Sequence, residues 1–229
     1  MTVQQHGVLR GGRDGERLSG VGYAVSKRGL DLALAVLALV VLAPILLVIA
    51  ATVRATSPGP ALFRQVRVGK GGTPFTMLKF RTMRADADDA IHRNYVSQLL
   101  TAEVAPDGGA AGVYKLVADP RVTRIGRLLR KTSIDELPQL INVVRGHMSL
   151  VGPRPALDWE VELYEQRHRH RLVVKPGLTG LWQVSGRNQL TMREALDLDL
   201  EYVARRGLGL DLAILAGTVP ALLRRSAAA

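Results

Sequence analysis

Two adjacent carboxylates, Asp135 and Glu136, stand in the run Arg130-Lys131-Thr132-Ser133-Ile134-Asp135-Glu136-Leu137-Pro138-Gln139-Leu140, directly after a stretch rich in cations. A carboxylate at a helix N-terminus is kept ionised by the helix dipole and the free backbone donors, and in that form it can act as nucleophile or metal ligand. A phosphoryl group is the electrophile that matches these surroundings. Attack on it by an anion needs neutralising charge, from Arg and Lys or from a divalent metal held by the carboxylate. The same residues also spell a capping box, Ser133 with Glu136, in which Glu136 would only satisfy a backbone donor. Pro138 complicates that alternative, because with Ser133 as cap its ring meets the carbonyl of Ile134, whereas a helix starting nearer Asp135 avoids the clash. Both readings stay open on these residues alone.

Cations recur in tight loops. Gly152-Pro153-Arg154-Pro155 fixes the backbone on both sides of one arginine, and a guanidinium is well shaped for a phosphate; a rigid turn with Arg154 in solvent is the plainer alternative. Alternation between Phe75 and Thr82 sets Met77, Lys79 and Arg81 on one face of an extended segment and Leu78, Phe80 and Thr82 on the other. Lys79 and Arg81 then point one way, into a site or along a solvated edge. Lys175-Pro176-Gly177 and Ser185-Gly186-Arg187-Asn188 are further tight loops, individually weak signals. The Arg- and His-rich run Arg167 to Arg171 has no convincing metal spacing with Glu165 and reads as a solvated basic face.

The elements that must position these residues begin with an apolar run. From Leu32 to Val53 there is no charged residue, a length that suits the hydrocarbon core of a bilayer. Lys27 and Arg28 precede the run and Arg54, Arg64, Arg67 and Lys70 follow it, so both flanks carry the basic signature of a cytoplasmic side. Pro44 lies mid-run, where it kinks or breaks a helix. A helix that bends at Ala43-Pro44 and returns satisfies both observations, and a kinked spanning helix is the alternative. Asp31 is spaced to pair with Lys27 and Arg28.

Ser57-Pro58-Gly59-Pro60 ends the apolar segment. Residues 86–89 and 106–112 read as loops around a short helix with Tyr95, Val96, Leu99 and Leu100. Asp119-Pro120 looks like the start of a basic amphipathic helix reaching Lys131, suited to anionic headgroups or to solvent. A helix is expected over Thr191 to Arg206, followed by an apolar segment, Leu210 to Leu223, broken by Gly217 and Pro220.

Lys and Arg number 31 against 20 Asp and Glu, giving a net charge of +11 and pointing to an anionic partner. Aromatic residues make up 4 %, too few stacking platforms for nucleic acid to be that partner. With no Cys, disulfides and thiolate metal sites are excluded.

Lys27-Arg28 with Asp31, the Pro-interrupted apolar run, Lys79-Phe80-Arg81-Thr82-Met83, Asp119-Pro120-Arg121, Ser133 to Gln139, Met148 to Pro155 and Pro176 to Asn188 occur in the order seen in bacterial sugar transferases. The chain resembles the monotopic polyprenyl-phosphate phosphoglycosyl transferases, from about Lys27 to the Leu210-Asp211-Leu212 region. The resemblance implies an α+β, mostly α fold. It divides the chain into a flexible tail over 1–25, a re-entrant helix-break-helix hairpin over 26–56 with its membrane break at Pro44, and a cytosolic domain with interfacial helices over 57–229. The expected unit is the catalytic core alone, on the cytoplasmic face of a bacterial inner membrane.

It further implies transfer of a sugar-1-phosphate from a UDP-sugar to undecaprenyl phosphate through a phosphosugar-aspartyl intermediate on Asp135, with release of UMP, initiating exopolysaccharide, capsule or O-antigen synthesis. Asp135 would also hold Mg2+ and Glu136 would position or deprotonate the acceptor. Arg154, Lys79 and Arg81 would bind phosphate, with Gln183 and Arg187 as weaker nucleotide or phosphate contacts. Membrane lipids are expected partners and a homodimer is compatible. His147 departs from the family pattern, which usually has Asp or Glu there. The competing reading is a membrane-anchored binding or scaffold protein for anionic lipid or polymer, without turnover.

Overall fold

The computed structural model describes residues 11–84, 93, 96–98, 100, 121–186 and 190–227. Its first element is one long helix, α1 (Gly11–Thr56), whose helical backbone runs unbroken through Pro44. The break expected there is therefore absent as a change of secondary structure. Proline removes one backbone hydrogen bond, which the rest of a long apolar helix tolerates. Helix also begins at Gly11, inside the segment expected as a tail, since extending a formed helix costs little per residue. The most apolar window of Val21–Thr56 has a mean hydropathy of 3.2 and is only 6 % buried. Leu37, Val40, Val41, Leu47 and Val48 are exposed on it, so this helix is long and apolar enough to cross a membrane.

β1 (Leu62–Val68) and β2 (Pro74–Phe80) form an antiparallel hairpin in the register Phe63↔Lys79 and Gln65↔Met77. Both Met77 and Leu78 are buried, so β2 is covered on both faces rather than showing the apolar and cationic faces read from its alternation. α2 (Arg124–Thr132) follows, capped by Thr123, whose hydroxyl accepts from the Gly126 N–H at 2.9 Å. Asp119-Pro120, expected to open this helix, lies outside the described residues. The helix cannot start before Thr123 because residues 121–123 are spent on strand-like pairing: Arg84 N donates to Arg121 O at 3.0 Å and Thr123 N to Thr82 O at 3.0 Å. Gly126 permits that approach, since a Cβ there would lie 2.0 Å from Thr82 O.

A 3-10 turn (Ile134–Glu136) leads into α3 (Gln139–Val144), β3 (Ser149–Val151), α4 (Asp158–Glu162) and a 3-10 stretch over His168–Val173. β4 (Gly177–Thr179) lies parallel to β3. α5 (Leu181–Ser185), α6 (Met192–Arg205) and α7 (Leu208–Ala227) complete the chain. α6 is the helix expected from Thr191, which forms a capping box with Glu194. α7 runs through Gly217 and Pro220, contrary to the expected interruption; Pro220 is exposed and near the helix end, where few backbone bonds depend on it. The loops at 86–89 and 106–112, with Tyr95 and Leu99, lie outside the described residues; Val96 is described and buried.

This mostly helical α+β arrangement holds α1 in two places, over residues 23–35 and at its C-terminal end. Ala35 joins the core of Phe75, Met77, Val143, Leu150, Tyr202 and Ile214, while Val53 packs with Phe80 and Leu129. Near its start, Tyr23 and Lys27 donate to Asp211 Oδ2 at 3.0 and 2.9 Å, Arg28 donates to the carbonyls of Val143 and Val144, and Leu150 N donates to Asp31 Oδ1 at 3.0 Å. The expected pairing of Asp31 with Lys27 and Arg28 does not form, because each finds a partner on another element. At the other end, Arg81 donates to Ser57 O at 2.7 Å, to Val53 O at 3.3 Å and to Pro58 O. Placing a cation on the last carbonyls of α1 satisfies acceptors that the helix itself cannot.

Candidate active site

Ser133 ends α2 in the left-handed region (φ 58°, ψ 14°), turning the chain into the 3-10 turn of Ile134–Glu136. Its side chain makes no cap bond and Pro138 stands directly before α3, so the Ser133–Glu136 capping box is not formed. Asp135 is buried at 4 % exposure, and Glu136 beside it reaches the surface of a groove. The turn is fixed from both sides. β2 and α2 pack on it, and Asn142 ties α3 to β2, accepting from Leu78 N at 3.0 Å and donating to Thr76 O at 2.7 Å.

The Gly152-Pro153-Arg154-Pro155 loop is held at almost every polar position. Gly152 N donates to Thr179 O at 2.9 Å and Gly177 N to Pro153 O at 2.8 Å. Arg171 donates to Arg154 O at 2.8 Å and Arg67 to Pro155 O at 3.0 Å. The Arg154 guanidinium itself donates to Glu160 Oε2 at 3.1 Å. The backbones of this loop and of the Lys175-Pro176-Gly177 loop touch, because a Cβ at Gly177 would sit 2.1 Å from Gly152 N. Burial alone would raise the Glu160 carboxyl, but the charges of Arg154 and Arg67 hold it below the usual range. Burial and the neighbouring Arg154 push Arg67 down to about 10, and Glu136 is among the carboxylates acting in the opposite direction.

The other wall is apolar. A groove of about 190 Å³ runs between the turn and α7, lined by Leu137, Leu150, Leu178, Val184, Leu215, Val219 and Leu222, with Ser133, Glu136, Thr179, Gln183 and Thr218 among them. Thr179 and Thr218 hydroxyls lie 2.8 Å apart and tie β4 to α7. A carboxylate turn at the edge of a greasy channel, in a fold that also fixes an arginine loop, can serve chemistry on a molecule that is part anion and part lipid.

Residues 22–225 match the bacterial sugar transferase family. The chain belongs to that family. It is similar to the exopolysaccharide production protein ExoY of Sinorhizobium fredii, 41 % identical over 198 residues that make up 86 % of this chain and 85 % of the relative. It is also similar to a UDP-glucose:undecaprenyl-phosphate glucose-1-phosphate transferase of Caulobacter vibrioides, 43 % identical over 219 residues covering 92 % and 74 %. A third relative is the undecaprenyl-phosphate galactose phosphotransferase of Salmonella typhimurium, 39 % identical over 203 residues, 88 % of this chain and 41 % of that longer protein.

In this sugar transferase Glu136 and Gln183 line one groove and Asp135 is buried in the turn beside Glu136, while Arg154, paired with Glu160, does not line that groove. Lys79 stands half-buried on β2, 5.0 Å above the Phe63 ring. Arg81 is turned away to the end of α1, so the cations grouped by strand alternation do different work. Arg187 lies outside the described residues. His147 is exposed, its ring 5.9 Å from that of Phe75.

Sequence reasoning passed over Arg67, Glu160, Arg171 and Asp199. The Arg167–Arg171 run is not wholly solvated: His168 and Arg171 are buried, and Arg171 donates to Asp199 Oδ2 at 3.0 Å and to the Tyr164 hydroxyl at 2.8 Å. In a 3-10 stretch residues three apart share a face, and that period was the available signal for an inward-facing His168 and Arg171. Among the described residues no group of three or more His, Asp or Glu forms a metal cage. Asp135 and Glu136 are the carboxylates that could hold a hard cation such as Mg2+, which needs only one or two of them and completes its shell with water and substrate phosphates.

Proposed function

We propose that this chain transfers a sugar-1-phosphate from a UDP-sugar to undecaprenyl phosphate, as the first membrane step of an exopolysaccharide, capsule or related glycoconjugate. The observation that carries this reading is the Asp135-Glu136 turn at an apolar groove that Glu136 lines, in a fold that also pins the Arg154 loop through Arg67 and Arg171. The names of the Caulobacter and Salmonella relatives support the donor and carrier classes.

An Asp135 carboxylate oxygen attacks the sugar-bearing phosphorus, the bond to the bridging oxygen breaks, and UMP leaves with the electron pair. An oxygen of the carrier phosphate then attacks the same phosphorus and the Asp135–phosphorus bond breaks, regenerating the carboxylate and giving the sugar diphosphate lipid. Glu136 takes any proton remaining on the acceptor as it attacks. Arg154 holds donor phosphate, with Lys79 adding positive charge from β2. A Mg2+ held in part by Asp135 supplies charge neutralisation at phosphorus when bound. The groove takes the first isoprene units of the carrier, presenting its phosphate at Glu136.

The test is magnesium-dependent UMP release by purified protein with undecaprenyl phosphate and a panel of UDP-sugars. UMP from the native chain, lost in a folded Asp135→Asn variant, supports the reading. Unchanged release in that variant overturns the nucleophile, and no release from any donor favours a binding role.

We further propose that α1 enters and leaves on the cytoplasmic face of the inner membrane, bending at Pro44 in the bilayer. Support comes from the two flanks of the uncharged run contacting one domain, through Arg28 and Asp31 before it and Val53 and Ser57 at its end. Since the chain has no Cys, Ser19→Cys and Thr73→Cys can each be labelled cleanly with a membrane-impermeant maleimide. Both should be protected in intact spheroplasts and labelled after lysis; labelling of Ser19→Cys alone in intact spheroplasts means a spanning helix.

A further inference from the structure

Glu160 sits on α4, six residues beyond Arg154, and is 0 % exposed. Its Oε2 accepts from the Leu157 N–H at 2.9 Å and from Arg154 Nη1 at 3.1 Å. The first bond locks the carboxylate to the start of its own helix, so its rotamer is set before it meets the arginine. Arg154 keeps 17 % of its side-chain surface while its partner has none. One end of the pair is thus fixed in the interior and the other looks outward.

The backbone at Arg154 is held independently. Its carbonyl accepts from Arg171, which is anchored by Asp199 and Tyr164 with 1 % of its side chain exposed. The next carbonyl accepts from Arg67. With main chain and guanidinium both gripped from beneath, little of an arginine's usual rotamer freedom remains to be lost on meeting a ligand.

A buried carboxylate with no role in the chemistry is costly to desolvate, so its pairing with a guanidinium that keeps part of its surface exposed calls for a purpose beyond packing. We infer that Glu160 is a positioning residue: it aims the Arg154 guanidinium at the donor diphosphate, and so sets donor affinity without touching substrate. This rests on Arg154 taking donor phosphate, as proposed above. The carboxylate fixes the plane of the guanidinium, and with it the direction in which the fork can meet phosphate oxygens.

A double-mutant cycle on the full chain in detergent tests it, reading both UDP and UDP-glucose binding and the split of KM against kcat. Glu160→Gln and Arg154→Ala should each weaken UDP binding by about tenfold, with KM for UDP-glucose rising and kcat changing less than about threefold. The variant carrying both should bind no more weakly than Arg154→Ala alone, because residues acting through one contact are not additive. If Glu160→Gln fails to fold, Glu160→Asp, which keeps the charge and withdraws it by one methylene, takes its place in the cycle. Native-like UDP binding in the Glu160 variant, losses that multiply in the double variant, or a native chain that binds neither UDP nor UDP-glucose would each overturn the inference. UDP binding that follows the cycle without UMP release from any donor leaves the positioning role standing and removes the proposed reaction instead.

Discussion

The wall of the site that carries Arg154 is polar and closed, whereas the wall made by α5 and α7 is apolar and open. On the first, the Gly152 N–H and the carbonyls of Pro153, Arg154 and Pro155 are all bonded, and Glu160, Arg67 and Arg171 are buried beneath it. On the second, the tie between elements is one hydroxyl pair, Thr179 with Thr218, among Leu and Val side chains, and Val219 remains exposed. The contrast follows from what each wall has to hold. A diphosphate is small, charged and directional, so rigid donors discriminate it well. A polyprenyl chain offers only surface, and any smooth apolar channel of the right width serves.

The sharpest way to break this division is at the turn between the walls, which both substrates would share. Asp135→Asn should lower UMP release by roughly a thousandfold or more, since no other buried carboxylate stands in the turn to replace the nucleophile. Loss should be equal at saturating donor and saturating carrier, measured by steady-state UMP release. Glu136→Gln should cost less, about a hundredfold, the size usual for a proton-transfer group, and the loss should be recovered in part at higher pH if the group acts on the acceptor's proton.

Each wall can then be damaged alone. Arg154→Ala should raise KM for the donor by about tenfold while leaving KM for undecaprenyl phosphate within about twofold. Val219→Asn, at an exposed position on the groove, should do the converse, raising the carrier KM by up to about tenfold, the worth of one buried aliphatic side chain. If both variants moved both constants together, the walls would not be separate subsites.

How much of this was legible in the sequence also differs by wall. The turn and the Pro-Arg-Pro loop announce themselves because proline and glycine constrain backbone locally, and local constraint can be read without knowing the fold. Asp135 and Arg154 could be singled out as candidates for that reason, while the roles expected of them came from the family resemblance. The helix from Thr191 was equally plain, with its capping box written in consecutive residues. What supports the loop was hidden, since Arg67, Glu160 and Asp199 meet only after β1, α4 and α6 have packed. Arg81 shows the same limit from the other side: strand alternation grouped it with Lys79, but tertiary contact gave it the carbonyls of Ser57 and Pro58. The groove could not be read at all, because α7 was expected to break at Gly217 and Pro220, and a broken α7 has no continuous face to line it.

The smallest effect concerns the closed wall in acid. Glu160 has a folded pKa held below the ordinary 4.5 despite its burial, owing to Arg154 and Arg67. A carboxyl depressed on folding adds stability that is present above its unfolded pKa and is lost as pH falls through its folded pKa. In that range protonation leaves Arg67 and Arg154 facing each other without their shared counter-charge. The unfolding free energy of the native chain, measured by denaturant titration in detergent from about pH 5 to about pH 3, should therefore decline with acid. Glu160→Gln should start lower and decline less steeply over the same range. Parallel slopes in the two chains would mean that the acid sensitivity belongs to other carboxyls, and that the closed wall owes its order to the hydrogen bonds of Arg171 rather than to the charge of Glu160.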